Sequence, residues 1–511
     1  MESHDHGLPE LMRIRREKLE ALRKLGVEPY PYSFARTHRA QDILDRCADL
    51  EVSEGGSASP NGSLRDLMAE PVSLAGRLMA LRLMGKAAFA HLQDSSGRVQ
   101  IYVKKDVAGD RAFEIFKHLD IGDHIGVKGQ VFKTHTGEIT VRAAELELLA
   151  KSIHPLPIVK EKEGHVFDAF ADKEARYRQR YLDLTVNPEV RKVFETRAKL
   201  ITVMRAFLEE WGFLEVETPI LQSLYGGAAA EPFVTHHNVL ERDLYLRIAD
   251  ELYLKRLIIG GFDRVYEIGK DFRNEGMDRT HNPEFTQMEL YAAYEDYSFC
   301  MNLVENLVVR LAKDLAGSTK IIYEGKEYDL TPPWPRYQFF DLLNEAAGGD
   351  VRKMSDADIA RECQASGLKL EAGQTGRGKL MDKLFGARVE PKLFGPCFVL
   401  DYPKELSPLA KSHRTDAGLV ERFEGFLAGR EFCNSFSELN DPADQRARFE
   451  DQAKLRAAGD LEAQPLDEDF LTALETGMPP TAGLGVGVDR LTMFFTDQHS
   501  IRDVILFPQM R

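Results

Sequence analysis

The 511-residue sequence has no Gly-x-x-x-x-Gly-Lys-Ser/Thr loop and no Gly-x-Gly-x-x-Gly following a predicted strand. Both devices hold nucleotide phosphates through backbone N–H groups. Without them, a bound nucleotide has to be held by side chains. No apolar run approaches the length needed to span a bilayer, and the opening Met1-Glu2-Ser3-His4-Asp5-His6 lacks the basic-then-apolar pattern of a secretory signal. The five cysteines (Cys47, Cys300, Cys363, Cys397 and Cys433) are scattered without metal-site or disulfide-framework spacing. A cytoplasmic protein with no membrane partner and no structural zinc is expected. No internal repeat is seen.

What is there suits a large soluble enzyme. At this length two or three domains are expected, and 43% hydrophobic with 9% aromatic residues supply ample cores. The net charge of −15 argues against general coating of nucleic acid. Residues 76–105 run against that trend, with six basic side chains (Arg77, Arg82, Lys86, Arg98, Lys104, Lys105) and one acidic, Asp94. One nucleic-acid-facing region on an otherwise repulsive body follows.

Helices are predicted over 8–25 and 39–48, then a flexible Gly/Ser/Pro-rich connection over 51–63. Five strands follow: Val72–Leu83, Phe89–Asp94, Val99–Val103, Asp123–Phe132 and Glu138–Leu149, with a helix near Ala108–Lys117 after the third. That order is the order of an OB barrel. Pro155 and Pro157 mark a linker. Beyond it lie a helix over Thr196–Trp211, a strand over Phe213–Val216, a helix over 298–316 and a mostly helical insertion near 340–385. The expected domains are 1–63, 64–150, a linker over 151–190, and 191–511.

Three stretches carry chemistry. Phe272-Arg273-Asn274-Glu275 and Phe285-Thr286-Gln287-Met288-Glu289-Leu290-Tyr291 read as strands joined by a loop containing Gly276 and Asn282-Pro283. Alternation puts Arg273 and Glu275 on one face, and Phe285, Gln287, Glu289 and Tyr291 on one face of the partner. Arg273 suits phosphate or carboxylate, which its guanidinium matches bidentately. In Gly483-Leu484-Gly485-Val486-Gly487-Val488-Asp489-Arg490, alternate glycines leave one strand face bare, Asp489 is placed to cap the next helix, and Arg490 falls in its first turn. Asn434, Phe436 and Glu438 share a face, whereas Glu431 has the wrong parity and needs a bulge or hairpin end to join them. Glu424 and Glu431 could hold Mg²⁺ beside a triphosphate.

These motifs resemble those of the class II lysyl-tRNA synthetases of bacterial type, over almost the whole chain. Gly212-Phe213-Leu214-Glu215-Val216-Glu217-Thr218-Pro219 is similar to the first class motif, a dimer-building one. Phe272 to Glu289 resembles the second, and Gly483 to Arg490 the third. The lysine-type subfamily is marked by Tyr245-Leu246-Arg247-Ile248-Ala249 with Glu251-Leu252-Tyr253-Leu254-Lys255-Arg256, by His281-Asn282-Pro283-Glu284-Phe285-Thr286, and by Phe436-Ser437-Glu438-Leu439-Asn440-Asp441.

The resemblance implies an α+β chain: an N-terminal five-stranded OB barrel and a class II catalytic domain with a central antiparallel sheet flanked by helices. It implies a homodimer that activates L-lysine with ATP and Mg²⁺, releases pyrophosphate, and transfers lysine to the 3′-terminal ribose of tRNA(Lys). By resemblance Arg273 holds the α-phosphate and the lysine carboxylate with Asn434, while Phe285 and Arg490 sandwich the adenine. Glu275 and His281 contact adenine and triphosphate, and Glu424 with Glu431 binds Mg²⁺. Gly227 and Glu251 take the α-ammonium. Glu438 and Tyr291 take the ε-ammonium, with Glu289 near and Phe436 along the stem. Arg82, Phe89, Gln100 and Glu138 grip the anticodon. Three departures stand out: Glu231 where relatives carry a cation, Ser435 for a frequent glycine, and Cys433 before Asn434.

Overall fold

Val99, Ile101 and Val103 are buried while Gln100 and Tyr102 between them are only partly covered, the period of two of a strand with one wet face. In the computed structural model, which describes residues 7–48, 67–68, 70–157, 160–162, 165–167, 170–370 and 376–510, that pattern recurs around a barrel. The expected connection at 51–63 lies outside the described residues. Helices α1 (Gly7–Lys24) and α2 (Ala40–Ala48) precede β1 (Val72–Met84), β2 (Ala87–Gln93), β3 (Arg98–Lys104), α3 (Lys105–Lys117), β4 (His124–Lys133) and β5 (Ile139–Ala150). The strands close in the order β1-β2-β3-β5-β4, the OB arrangement expected.

Contacts divide the chain into Met1–Phe170 and Ala171–Arg511. The second unit is built on eight strands: β6 (Leu214–Glu215), β7 (Arg264–Phe272), β8 (Glu284–Ala293), β9 (Arg336–Gln338), β10 (Cys397–Leu400), β11 (Arg422–Leu427), β12 (Arg430–Ser437) and β13 (Thr481–Gly487). Their order is β9-β10-β11-β12-β13-β8-β7-β6. The six central strands are antiparallel, and β9 and β6 join the two edges in parallel. The fold is α+β, as the resemblance implied.

Period-two alternation decides which face is covered. The helices of this unit include α4 (Pro188–Glu210), α5 (Glu251–Ile259) and α6 (Tyr297–Ala316). Met288, Leu290 and Ala292 of β8 and Ala482, Leu484 and Val486 of β13 point to α4 and α6. There they meet Leu200, Met204, Phe207, Val304 and Leu307 in one core. Truncating the fully buried Leu290 to alanine costs about 2–5 kcal/mol by the usual cavity penalty. The α4 helix starts earlier than its apolar stripe predicts, because Pro188 sits in the first turn, where a missing N–H leaves nothing unpaired. Between β9 and β10, helices Phe339–Ala347, Asp356–Ala365 and Arg377–Arg388 share a cluster of their own around Phe339, Ile359 and Phe385.

Two local expectations are corrected. The β7–β8 ladder ends at the Phe272–Glu284 pair, so Arg273 to Glu275 lie outside the strand. Pro283 has no N–H to continue the ladder, and the Asn274 N–H turns away to donate to the Glu231 carbonyl at 2.8 Å. Asp489 does not cap α7 (Val488–Phe495), whose N-cap is Gly487. Its carboxylate instead accepts from the Thr286 N–H at 2.7 Å and from Arg197, tying β8 to α4.

Candidate active site

Register across the sheet builds the site. One row runs Glu424–Asn434–Gly485–Glu289–Glu267 across β11, β12, β13, β8 and β7. The next runs Arg422–Phe436–Gly483–Tyr291. The glycines of β13 thus lie between side chains that lean over them from both sides. A Cβ on Gly483 would collide with Glu438 Oε1 and the Tyr291 ring, and one on Gly485 would lie 2.7 Å from Gln287 Nε2. The strand face is bare so that its neighbours can fill it.

That face floors a cavity of about 720 Å³. Its wall carries Gly227, Glu251, Arg273, Glu275, His281 and Phe285 on one side. Glu289, Tyr291, Asn434, Phe436, Glu424, Glu431 and Arg490 complete it. Of the catalytic-unit residues given a substrate or metal role above, Glu438 alone is missing from this lining; it sits just behind it, 1% exposed, with its carboxylate against Gly483. Glu431 arrives by a β-bulge: Gly425 pairs with Cys433 and Phe426 with Glu431, leaving Phe432 extra.

One end is acidic. Glu251, Glu289 and Glu438 are all buried, and Lys255, one helical turn after Glu251, is fully buried between two of them. Its Nζ lies 2.5 Å from Glu251 Oε1, forms an ion pair with Glu438, and stands 5.4 Å over the Phe436 ring centroid. Glu289 accepts from Gln287 at 2.8 Å and from the Tyr291 hydroxyl at 3.3 Å. Burial pushes the Glu289 and Glu438 carboxyls well above the usual range and raises Glu251, with Lys255 opposing the shift at Glu251 and Glu438. Gly227, at φ +90°, brings its backbone against this group: a side chain there would meet Glu251 Cβ at 3.0 Å.

Behind Glu289 lies a second buried set. Arg247 contacts Asp250 at 2.9 Å, Glu267 at 2.6 Å and Asp271 at 3.3 Å. Burial, with Asp271 adding its repulsion, pushes the Asp250 carboxyl up to about 10; Asp271 is raised by burial to about 6.

The other end is cationic and aromatic. The Arg273 guanidinium stands 5.0 Å from the Phe285 ring centroid. Arg490 donates to the Glu431 carbonyl at 2.6 Å and its carboxylate at 3.0 Å. His281 is held by Asp278 at 2.8 Å, and Glu275 is exposed at the rim. Glu424 accepts from Tyr402 at 2.8 Å and pairs with Arg422 at 2.6 Å, yet burial pushes its carboxyl up to about 8, with Glu431 adding repulsion. Two mutually repelling carboxylates in a pocket fit a hard divalent cation. Among the described residues no group of three or more His, Cys, Asp or Glu is set to hold a metal unaided, so such an ion would draw on phosphate and water.

On the barrel, pairing aligns Arg82, Phe89 and Tyr102, and beside them His91, Gln100 and Thr140. Phe89 is half-buried rather than core, with its ring 4.7 Å from that of Tyr102. Gln100 donates to Glu138 at 2.6 Å, and His91 meets the other oxygen of Glu138 at 3.0 Å. Arg82 is exposed.

Sequence reasoning missed Lys255, Arg422, Asp250 and Tyr102. Arg422 was within reach, since it shares the strand face of Glu424 two residues on. Of the departures, Ser435 donates to the Gly483 carbonyl at 2.6 Å on the covered face, and the β12–β13 register shows no shift.

A mostly antiparallel eight-stranded sheet with parallel edge strands is the architecture the resemblance to a class II synthetase implied. Residues 172–511 match the family of class II tRNA synthetases (D, K and N), and residues 72–156 match the OB-fold nucleic acid binding domain. The chain belongs to that synthetase family. It is 52% identical over 509 residues to the lysine–tRNA ligase of Pelotomaculum thermopropionicum, covering 99% of this chain and 96% of that protein. It is 52% identical to the Moorella thermoacetica lysine–tRNA ligase over 98% of both chains. With the Porphyromonas gingivalis lysine–tRNA ligase, identity is 50% over 98% of this chain and 85% of the relative.

Proposed function

We propose that this chain joins L-lysine to tRNA(Lys) in two steps, with ATP as the second substrate. The observation that carries the reading is the acidic end of the cavity. Glu251 and Glu289 line it and Glu438 lies just behind, all three buried, with one resident ammonium between Glu251 and Glu438. A metabolite with two ammonium groups supplies the missing charge, and an uncharged side chain leaves the carboxylates unpaired. An aspartate or asparagine enzyme needs a cationic pocket instead.

In the first step the lysine carboxylate attacks the α-phosphorus in line, the new C–O–P bond forms, and pyrophosphate leaves. Arg273 pairs with both reacting anions, with Asn434 beside the carboxylate. Phe285 and Arg490 take the two faces of the adenine, Glu275 its edge, and His281 the triphosphate. Gly227 and Glu251 hold the α-ammonium, and Glu438, Tyr291 and Glu289 the ε-ammonium along the Phe436 ring. Glu424 and Glu431 would hold Mg²⁺, which when bound would neutralise charge on the phosphates. Catalysis here rests on positioning and electrostatics, so no side chain need act as nucleophile. In the second step a terminal ribose hydroxyl attacks the lysyl carbonyl and AMP departs.

The barrel reads the anticodon. Phe89 offers a stacking face, Gln100 and Glu138 offer hydrogen bonds, and Arg82 serves base or phosphate. A cytoplasmic homodimer completes the reading, supported by the exposed Leu214, Ile220 and Leu221 in and beside the first class motif. Among the described residues no helix is long and apolar enough to cross a membrane.

ATP–pyrophosphate exchange with each amino acid tests the substrate. Exchange with lysine and none with aspartate is expected. Exchange with aspartate alone would overturn the reading.

A further inference from the structure

Lys255 is placed by the covered side of α5. Leu252, Leu254 and Ile258 lock that helix into a cluster with Leu409 and Phe470. Its ammonium therefore has a fixed root, no exposure, and two carboxylates in contact from separate elements: Glu251 on α5, and Glu438 just past β12. The charged or titratable groups facing this set are Glu289 and Tyr291 from β8, Arg422 from β11 and Cys300 from α6, with Asp250, Asp271 and Arg273 beyond Glu289. Arg422 is paired with Glu424, and Asp250 and Asp271 with Arg247, so the carboxylates of Glu251, Glu289 and Glu438, when ionised, and the Lys255 ammonium leave two negative charges, which the two ammonium groups of lysine match. The substrate carboxylate faces Arg273 instead.

We propose that Lys255 is a specificity-determining, positioning residue: a permanent counter-charge that keeps Glu251 and Glu438 ionised and spaced to accept a doubly positive amino acid. The inference rests on the lysine reading above. Removing Lys255 would leave three buried carboxylates sharing one pocket, and such a group takes up a proton rather than stay charged. A protonated carboxyl no longer attracts an ammonium. Burial already draws both carboxyls upward, and the Lys255 ammonium is the strongest influence against it at each.

The test compares Lys255→Met with the unaltered full-length enzyme in lysine-dependent ATP–pyrophosphate exchange across pH, with norleucine as competitor. The variant is expected to raise the lysine KM at neutral pH by about tenfold or more, equivalent to one pK unit, and to move the pH of half-lost lysine binding upward by about one unit. The ATP KM should hold within about twofold, and norleucine should compete relatively better. An unchanged lysine KM and pH profile would overturn the proposal. Tighter lysine binding would also overturn it, because Lys255 would then occupy the substrate's own place. If Lys255→Met does not fold, Lys255→Arg keeps the charge and should keep the pH profile even where KM rises; a shifted profile refutes the inference. Absence of lysine-dependent exchange in the unaltered enzyme would sink the substrate reading itself, a separate outcome.

Discussion

Arg422 and Glu424 share one face of β11, and the guanidinium lies 2.6 Å from the carboxylate. Arg422 also donates to Asn434 at 2.9 Å and to Ser407 at 2.9 Å, so one cation positions two site residues. Its loss strands a buried carboxylate, a change that typically costs about 3–5 kcal/mol. Arg422→Met is expected to slow lysine-dependent exchange by about 100-fold or more, because Glu424 and Asn434 lose the group that positions them and a misplacement of about 1 Å can cost that much. A near-normal rate at the same Mg²⁺ concentration would show that Arg422 only braces the strand.

Gly483 makes a sharper test, because the space a Cβ would need there is filled by Glu438 and Tyr291 closing over the strand. Gly483→Ala forces the Glu438 carboxylate away from the pocket end without touching Arg273 or Phe285. The lysine KM should rise by about tenfold or more, the loss of roughly one hydrogen bond to a charged group. The ATP KM should hardly move. Parallel loss of both would place the damage in the sheet rather than in the amino-acid end.

Much of this was legible in the sequence, and the failures have causes. Alternation in Phe285–Tyr291 assigned the correct face to Gln287, Glu289 and Tyr291, because a strand covered on one side obeys a period of two. The parity of Glu431 demanded a bulge, and one is present. Arg273 to Glu275 failed the same rule because a tertiary hydrogen bond to Glu231 draws the chain out of the ladder. Lys255 was invisible for another reason. A lysine in mid-helix is ordinarily a solvated residue, and only the tertiary meeting of α5 with the end of β12 makes it a buried ion.

Asp250 predicts a pH dependence of stability. Its usual pKa of 3.8 is pushed up to about 10 in the fold, mainly by burial. Between those limits the folded chain keeps a proton that the unfolded chain has lost, so stability from this group is full below about pH 4 and falls as pH rises. Asp250→Asn mimics the protonated acid at every pH. Its unfolding free energy should exceed that of the unaltered protein by a margin that widens from pH 6 to pH 8, up to a ceiling of about 1.4 kcal/mol per pH unit. A margin that stays constant or reverses by pH 8 would mean that Arg247 keeps Asp250 ionised.

The barrel's prediction separates binding of RNA from chemistry. Phe89 is half-buried, lies against Tyr102 at 4.7 Å, and is flanked by exposed Arg82. A ring so placed can stack an unpaired base, worth about 1–3 kcal/mol. Phe89→Ala should therefore lower kcat/KM for tRNA charging by about 5- to 150-fold, the range those energies convert to. ATP–pyrophosphate exchange involves no tRNA and should keep its rate. Tyr102→Ala should behave the same way with a smaller loss, since that ring supports Phe89 from one side. Equal falls in charging and exchange for Phe89→Ala would make it a structural residue of the barrel and remove the stacking role.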